Sequence, residues 1–476
     1  MEDKLVEAVF EARRRGLDSA RPDVVERRHA AGFLTPRERI TALLDPGSAV
    51  EYGRLSGRLH DGSWVPERGG VDFVGTVDGL PIVTSSTDFT DHGGGYGASR
   101  IPRLYALAHE HRWPVVLFAD GGGSRATVPG KAGLGGVELG GRIGRFDLFD
   151  GLAELSGWVP IVAVVSGPSY AGHASLAGFS NFLVSTRGSS IGIGGPPMVE
   201  AALGIRLTHQ ELAGTEMHEL TGGIDLLVDD EHQAIAAVRR YLSYYQDLPT
   251  GEPSATADSI RSIVPEDGPY DMKDVIVALV DRGSVFELRP NWAGSLITAF
   301  ARMGGRTVGI LANQPISYNA GAIDQDASDK ISRFVEICDV YEYPIVSLID
   351  TPGLVVRSMT NPEAEQPGFT RHHARPFMAH HHRTVPMFSV QVREGCGLGT
   401  FAMSGFNNGR SVPAMRLAWP TARLNADNPY GRSIRDKNVI DDVVDPLETR
   451  DRIIRVLRLT KRSLSGDRKK HPVDTW

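Results

Sequence analysis

Two runs in the first half of the chain are apolar at every position, 115–119 (Val-Val-Leu-Phe-Ala) and Ile161–Val165. A half-exposed strand alternates apolar and polar residues, so unbroken runs of this length predict parallel strands buried on both faces. Upstream, 71–76 and 81–85 are short and rich in β-branched residues, and the intervening Asp78-Gly79 predicts a tight hairpin. Between that hairpin and the first buried strand, Ile101–His111 has an apolar, helix-like pattern. Strand, helix, strand in this order predicts an α/β domain. The first 50 residues read as helical, with Arg37-Glu38-Arg39-Ile40 leading into the stop signal Leu43-Leu44-Asp45-Pro46-Gly47.

The pattern then recurs. Residues 246–269 are rich in Pro, Ser, Asp and Gly and read as a linker between an N-terminal domain, 1–245, and a C-terminal domain, 270–476. Residues 89–95 precede a helix and then Pro114 and Asp120; residues 315–321 precede a helix and then Pro344 and Asp350. Both Pro-to-Asp steps are six residues. Val159-Pro160 and Val385-Pro386 then introduce a further strand in each half, so Pro344 and Pro386 follow Pro114 and Pro160 by 230 and 226 residues. Such a period predicts two α/β lobes made by internal duplication.

With 41% hydrophobic and 23% charged residues over 476, the chain has enough apolar material for large cores. Lys+Arg 51 against Asp+Glu 58 leaves a net charge of −7, which argues against non-specific nucleic-acid binding, a property of basic faces. Glycine is over-represented, 54 of 476 against an ordinary ~7%, so many tight turns or close backbone approaches are expected. Cys338 and Cys396 are the whole cysteine complement, which excludes a disulfide framework and a four-cysteine zinc site and points to a reducing cytoplasm. Residues 1–15 are charged and lack the apolar core of a signal peptide, and no run approaches the ~18 apolar residues of a membrane span. A soluble intracellular protein is expected.

The candidate chemistry lies in two matched turns. Val165-Ser166-Gly167-Pro168-Ser169-Tyr170-Ala171-Gly172-His173-Ala174 and Val392-Arg393-Glu394-Gly395-Cys396-Gly397-Leu398-Gly399-Thr400 each run from a strand through a glycine-bearing turn into a helix start. Main-chain N–H groups at such a place lack helical partners and are able to hold an oxygen that becomes negative during reaction. A pair of these turns suggests one hole per carbonyl, which suits transfer between two carbonyl-bearing molecules. Gly121-Gly122-Gly123-Ser124-Arg125 follows the first buried strand at its carboxyl end, where α/β folds bind ligands. Neither a Walker A loop nor a Gly-x-Gly-x-x-Gly fingerprint is present, so nucleotide hydrolysis is disfavoured. Gly167-Pro168-Ser169-Tyr170-Ala171 approaches a nucleophile elbow but ends in Ala. The histidines at 372–373 and 380–382 are read as a solvated helix face or a subunit contact. Asp324, Asp326 and Asp329 outline a calcium loop without its Gly and terminal Glu, so helix capping is the better account.

Further stretches make the chain recognisable. They include Arg37–Ile40 with 43–48, Asp88-Phe89-Thr90 with 93–97, Asp120–Arg125, Ala312-Asn313-Gln314-Pro315, Asp326–Lys330, Asp350-Thr351-Pro352-Gly353, Ala418-Trp419-Pro420-Thr421 and 441–450. In this order, over nearly the whole chain, they resemble the carboxyltransferase β subunit of biotin-dependent acyl-CoA carboxylases, the propionyl-CoA carboxylase type in the crotonase-like (ClpP/crotonase) superfamily. The resemblance implies an α/β fold of two tandem crotonase-like (ββα superhelix) domains. It implies a cytoplasmic enzyme that moves a carboxyl group from carboxybiotin to the α-carbon of an acyl-CoA, with both enolates held in main-chain oxyanion holes. By position, Ala171 and Gly172 would serve the thioester, and Leu398 and Gly399 the biotin carbonyl. Gly122, Gly123, Arg125, Arg100, Gly194 and Gly195 would contact coenzyme A.

The absence of an Ala-Met-Lys-Met site implies that biotin arrives on a separate carrier, with a biotin carboxylase subunit to load it. A homo-oligomer, a dimer or a trimer of dimers, is implied as well. The chain departs from the family in three places. Cys396-Gly397-Leu398-Gly399-Thr400 replaces Tyr-Gly-Gly-Ala-Tyr; Phe401 stands where the family sorts acyl chains; and the segment after Thr421 runs directly to Asp441 without the family's Met-Gly-Ala element. These differences leave a biotin-independent acyl-CoA decarboxylase, hydrolase or acyltransferase on the same fold, or a non-catalytic subunit, as alternatives.

Overall fold

The computed structural model describes residues 2–61, 63–66, 69–90, 94, 101–122, 144, 146–254, 256–355, 368–405, 413–423, 440–460 and 471–476. The chain forms two compact units, Met1–Ser243 and Tyr244–Trp476. Each is built on a seven-stranded sheet whose strands lie side by side in chain order. In the first unit, Val50–Tyr52, Gly70–Val77 and Leu80–Thr87 pair antiparallel. Val115–Phe118, Ile161–Val165, Phe182–Thr186 and Leu226–Val228 continue the sheet in parallel. In the second unit Phe286–Leu288, Leu296–Met303 and Arg306–Asn313 are antiparallel. Ile345–Thr351, Met387–Gly395, Met415–Ala418 and Asp442–Val443 then add in parallel. The two sheets thus repeat one pattern of pairing, the topological counterpart of the duplication expected from the sequence.

The repeat extends to single hydrogen bonds. Each antiparallel hairpin closes through two left-handed residues, Asp78 and Gly79 (φ 49° and 80°) or Gly304 and Gly305 (φ 62° and 86°). Two positive φ angles give a turn whose twist matches the flanking strands. Proline has no N–H to give a ladder but keeps its carbonyl, so it fits the first position of a strand. Pro114 and Pro344 accept from Val83 and Gly309 at 3.0 and 2.9 Å; Pro160 and Pro386 accept from Val115 and Ile345 at 2.8 and 2.9 Å. The four prolines that revealed the period in the sequence therefore occupy matching rungs of the two ladders.

Helices cover the sheets through apolar stripes. Ile101–His111 buries Ile101, Leu104, Tyr105 and Ala108, one face at helical spacing. In the second unit Gln325–Val340 is nearly all buried. Its start is capped by the Asp324 carboxylate, which accepts from Ala327 N–H at 2.9 Å, as expected in preference to a calcium loop. Asp329 is held instead by His372 (2.8 Å) and Arg375 (2.5 Å). The histidine face is only partly solvated: His381 and His382 are exposed, while His373 and His380 are buried. Within 246–269, Ile260 and Val264 join the core of the second unit. Among the described residues no helix is long and apolar enough to cross a membrane.

Candidate active site

In the first unit the chain leaves Ile161–Val165 and forms the short strand Pro168–Tyr170, which pairs in parallel with Ser190–Gly192. Gly121 lies beside it, donating to Pro168 O (2.7 Å) and accepting from Tyr170 N–H (2.8 Å). An added Cβ on Gly121 would collide with the His173 ring, so glycine is required there for steric reasons. Ala171 then turns the chain at φ 52°, ψ −120°, a conformation that favours glycine. Its N–H donates to Gly192 O at 3.1 Å. The helix Gly172–Gly178 begins at once, and its first residues have no partner four positions back. The amides this turn presents therefore begin at Gly172, and Ala171 supplies the bend.

The turn is held from beneath by a buried ionic cluster. Asp120 Oδ1 accepts from Ser166 N–H and Gly167 N–H at 3.0 and 3.1 Å. Its other oxygen pairs with Arg39 at 2.6 Å, and the fully buried Arg39 also pairs with Glu231. Ser166 Oγ donates to Glu231 at 2.5 Å, and Glu231 accepts from Leu34 N–H. Burial alone would push the Asp120 carboxyl up, but Arg39 and the Ser166 amide outweigh it and hold the group below its ordinary value. Removing one member of such a buried cluster costs about 3–5 kcal/mol, because the others are left uncompensated.

The second unit repeats the device with different side chains. Asp350 Oδ1 accepts from Glu394 N–H at 2.9 Å. Its other oxygen accepts from the Tyr270 hydroxyl at 2.7 Å and faces Arg393 Nε at 3.2 Å. Here burial prevails: Asp350 is raised, with Tyr270, the Glu394 amide and Arg393 offsetting only part of it. Beyond Glu394, Cys396 N–H donates to Thr351 O (3.2 Å) and Gly397 bends the chain at φ 51° into the helix Gly397–Ser404. Gly399 packs directly on Gly353, whose Cα would lie 2.7 Å from an added Cβ. The Leu398 side chain turns outward, 52% exposed.

The positive φ falls on the residue before the helix in the first turn (Ala171) and on the first helical residue in the second (Gly397), and the pairs Ala171/Gly172 and Leu398/Gly399 expected from the sequence lie at these two helix starts. Gly122 is exposed, and Gly194 and Gly195 are half-buried. Around Tyr170, an added Cβ on Gly195 would come within 3.7 Å of the ring. Phe401 is half-buried on the second helix. Arg100, Gly123 and Arg125 lie outside the described residues. Ser169 is fully buried and its hydroxyl has no hydrogen-bond partner, the opposite of a nucleophile poised beside a base. Asp120 and Asp350 were visible in the sequence as landmarks of spacing; their role under the turns was not, although the repeated Pro-to-Asp step was the available signal.

Comparison with known proteins supplies the family. A family model described as the carboxyl transferase domain matches residues 27–433. The chain is 32% identical to the methylmalonyl-CoA carboxyltransferase 12S subunit of Propionibacterium freudenreichii subsp. shermanii, covering 94% of this chain and 92% of that one. It is 31% identical to the propionyl-CoA carboxylase carboxyltransferase subunit of Haloferax mediterranei, covering 98% of both. Among solved structures, a transcarboxylase 12S hexamer with methylmalonyl-coenzyme A bound superposes with TM-score 0.84 at 29% identity over 99% of each chain. A single-chain, multi-domain long-chain acyl-CoA carboxylase gives TM-score 0.81 at 33% identity; the match covers 95% of this chain, which spans 50% of that longer one.

Proposed function

The chain belongs to the carboxyl transferase family, and on that premise we propose that it transfers a carboxyl group between biotin carried on a separate protein and the α-carbon of an acyl-CoA. One observation carries the proposal: each unit ends the same strand of the same sheet in a bend at φ near 50° that delivers main-chain amides into a helix start. Amides held in place before reaction stabilise charge as it develops on a carbonyl oxygen, at about 3–4 kcal/mol per well-placed donor. We assign the Gly172 amide to the thioester oxygen and the Leu398 and Gly399 amides to the ureido carbonyl of biotin.

The second turn fits such a guest. Its Gly399–Gly353 packing is backbone against backbone, and its donors belong to the main chain. When bound, carboxybiotin supplies the carboxyl group and, once that has left, a ureido nitrogen able to take the α-proton. The protein's part is then to orient, to stabilise and to exclude water, with no side-chain base needed. Gly122, Gly194 and Gly195 are assigned to coenzyme A, together with Arg100, Gly123 and Arg125. Phe401, one helical turn beyond Gly397, is assigned to the acyl-chain end. A biotin carrier, a biotin carboxylase subunit and a homo-oligomeric assembly belong to this reading, supported by the hexamer of the 12S relative. Two free cysteines support a cytoplasmic setting.

The test is to incubate purified protein with acyl-CoAs and malonyl-type CoAs, with and without carboxylated carrier, and to follow product masses. Carboxylated product only with carrier is expected. Carrier-independent loss of CO2 or of coenzyme A would replace this function with decarboxylation or hydrolysis, and silence across the panel would leave a structural subunit.

A further inference from the structure

We propose that Asp120 and Asp350 are positioning residues, one in each unit, whose carboxylates fix the main-chain turns that hold the two reacting carbonyls. The inference rests on the carboxyl-transfer function above and adds the groups that set its geometry. Each aspartate is the sixth residue after a strand-entry proline. Each is buried, 2% and 3% exposed. The main-chain carbonyl of each lies against a left-handed glycine, Gly94 or Gly321 (both φ 80°), where an added Cβ would approach within 2.7 or 2.5 Å of it. Backbone and side chain are therefore both immobilised.

From that fixed point Oδ1 reaches across to the end of the neighbouring strand. It takes the amides of Ser166 and Gly167 in one unit and of Glu394 in the other. The bend at φ near 50° follows five residues after Ser166 and three after Glu394. The second carboxylate oxygen is anchored independently, by Arg39 in one unit and by Tyr270 and Arg393 in the other. Burying a carboxylate is unfavourable unless it is fully partnered. Its occurrence twice at one topological position, with unrelated anchors, marks the shared element, Oδ1 to the turn amides, as the functional one. Releasing those amides lets the turn relax, and a misplacement of ~1 Å at a reacting group costs on the order of 100-fold in rate.

The test uses the full chain with propionyl-CoA carrying carbon-13 at the thioester carbonyl, read by isotope-edited difference infrared, together with transfer from methylmalonyl-CoA to free biotin. Wild-type protein should shift the bound thioester stretch to lower frequency than in solution. Asp120→Asn keeps an acceptor for both amides and should keep the shift. Asp120→Ala should lose it, with kcat falling about 10–100-fold while KM for the thioester changes less than about threefold. Asp350→Ala should keep the thioester shift yet lose kcat to the same extent, and Asp350→Asn should restore it. An Asp120→Ala protein with wild-type shift and kcat overturns the proposal. If Asp120→Ala does not melt cooperatively, the second unit decides: a folded Asp350→Ala protein with wild-type kcat overturns it equally. No shift in the wild type would instead sink the thioester assignment itself, and the positioning role with it.

Discussion

Replacing Ala171 by glycine should make the protein more stable. At φ 52° and ψ −120° the Ala171 Cβ crowds its own backbone, and a non-glycine residue held in such a region carries about 1–3 kcal/mol of strain. Glycine removes that strain but gains freedom in the unfolded chain, which returns about 0.4–1 kcal/mol. The balance is a net stabilisation of about 1.3 kcal/mol at the middle of these ranges. For a unit of this size that raises the midpoint of its thermal transition by roughly 3–5 °C. The Ala171 N–H continues to meet Gly192 O, so turnover should stay within about threefold of wild type. Ala171→Val is the opposite perturbation: a β-branched residue at positive φ should lose at least about 2 kcal/mol. Calorimetry of the three proteins, with the transition of the second unit as an internal reference, decides the matter. If Ala171→Gly is less stable than wild type, or Ala171→Val is neutral, the bend is not strained and the account of how it aims Gly172 fails.

Four further outcomes follow from the same geometry. Gly172→Ala keeps the amide and has room, its Cβ meeting nothing closer than Phe149 at 3.7 Å, so it should retain most turnover, whereas Gly172→Pro deletes the donor and should lower kcat by about 100–1,000-fold. Ser169→Ala removes a buried, unpartnered hydroxyl and should leave both turnover and melting temperature near wild type; a dead variant would revive a nucleophilic serine. Lys330 donates to the carbonyls of Arg289, Trp292 and Leu296, each at 2.8 Å, so Lys330→Met should orphan three buried acceptors and lower the urea-unfolding free energy of the second unit by at least about 2 kcal/mol. Phe401→Ala should raise the ratio of kcat/KM for long over short acyl-CoAs about tenfold or more, and an unchanged ratio would remove Phe401 from the acyl pocket.

Much of the fold was legible because it is written in residues with one narrow use. Unbroken apolar runs mark strands covered on both faces, Asp78-Gly79 marks a two-residue hairpin, and a proline at a strand entry cannot move by one position without removing a ladder donor. Pro114, Pro160, Pro344 and Pro386 therefore carried the register of both sheets, and the duplication was readable from their spacing alone. The turns were less legible for the complementary reason. A hole made of main-chain amides imposes little on side chains, so the glycine pattern located both turns but not the backbone angles within them. Ala171, a non-glycine at positive φ, is the example, since no local signal distinguishes it from an ordinary alanine. The histidine face was legible in part: a helix carries it with His381 and His382 exposed, while the burial of His373 and His380 depends on what packs over that helix.

The clamps show why the sequence was silent about its positioning groups. Asp120 draws its partners from Arg39, Ser166 and Gly167, which lie 81, 46 and 47 residues away along the chain, and Asp350 draws on Tyr270 and Glu394 at distances of 80 and 44. None of these separations belongs to a local motif, and the anchoring residues differ in type between the units. What the two aspartates share is a vantage point: the end of one parallel strand looks across at the end of the next, where an unsupported turn must leave the sheet. The parallel ladder is interrupted at that point, by the end of the strand after Val165 in the first unit and by a register shift between Ile349 and Thr351 in the second, so the amides there need an acceptor from elsewhere. A carboxylate on the preceding strand fills the vacancy whatever its own counter-charge happens to be. The chemistry of the anchor is then free to vary, while the position of the acceptor is set by the sheet, which is why the acceptor repeats as an aspartate at a constant step from proline and its partners do not repeat at all.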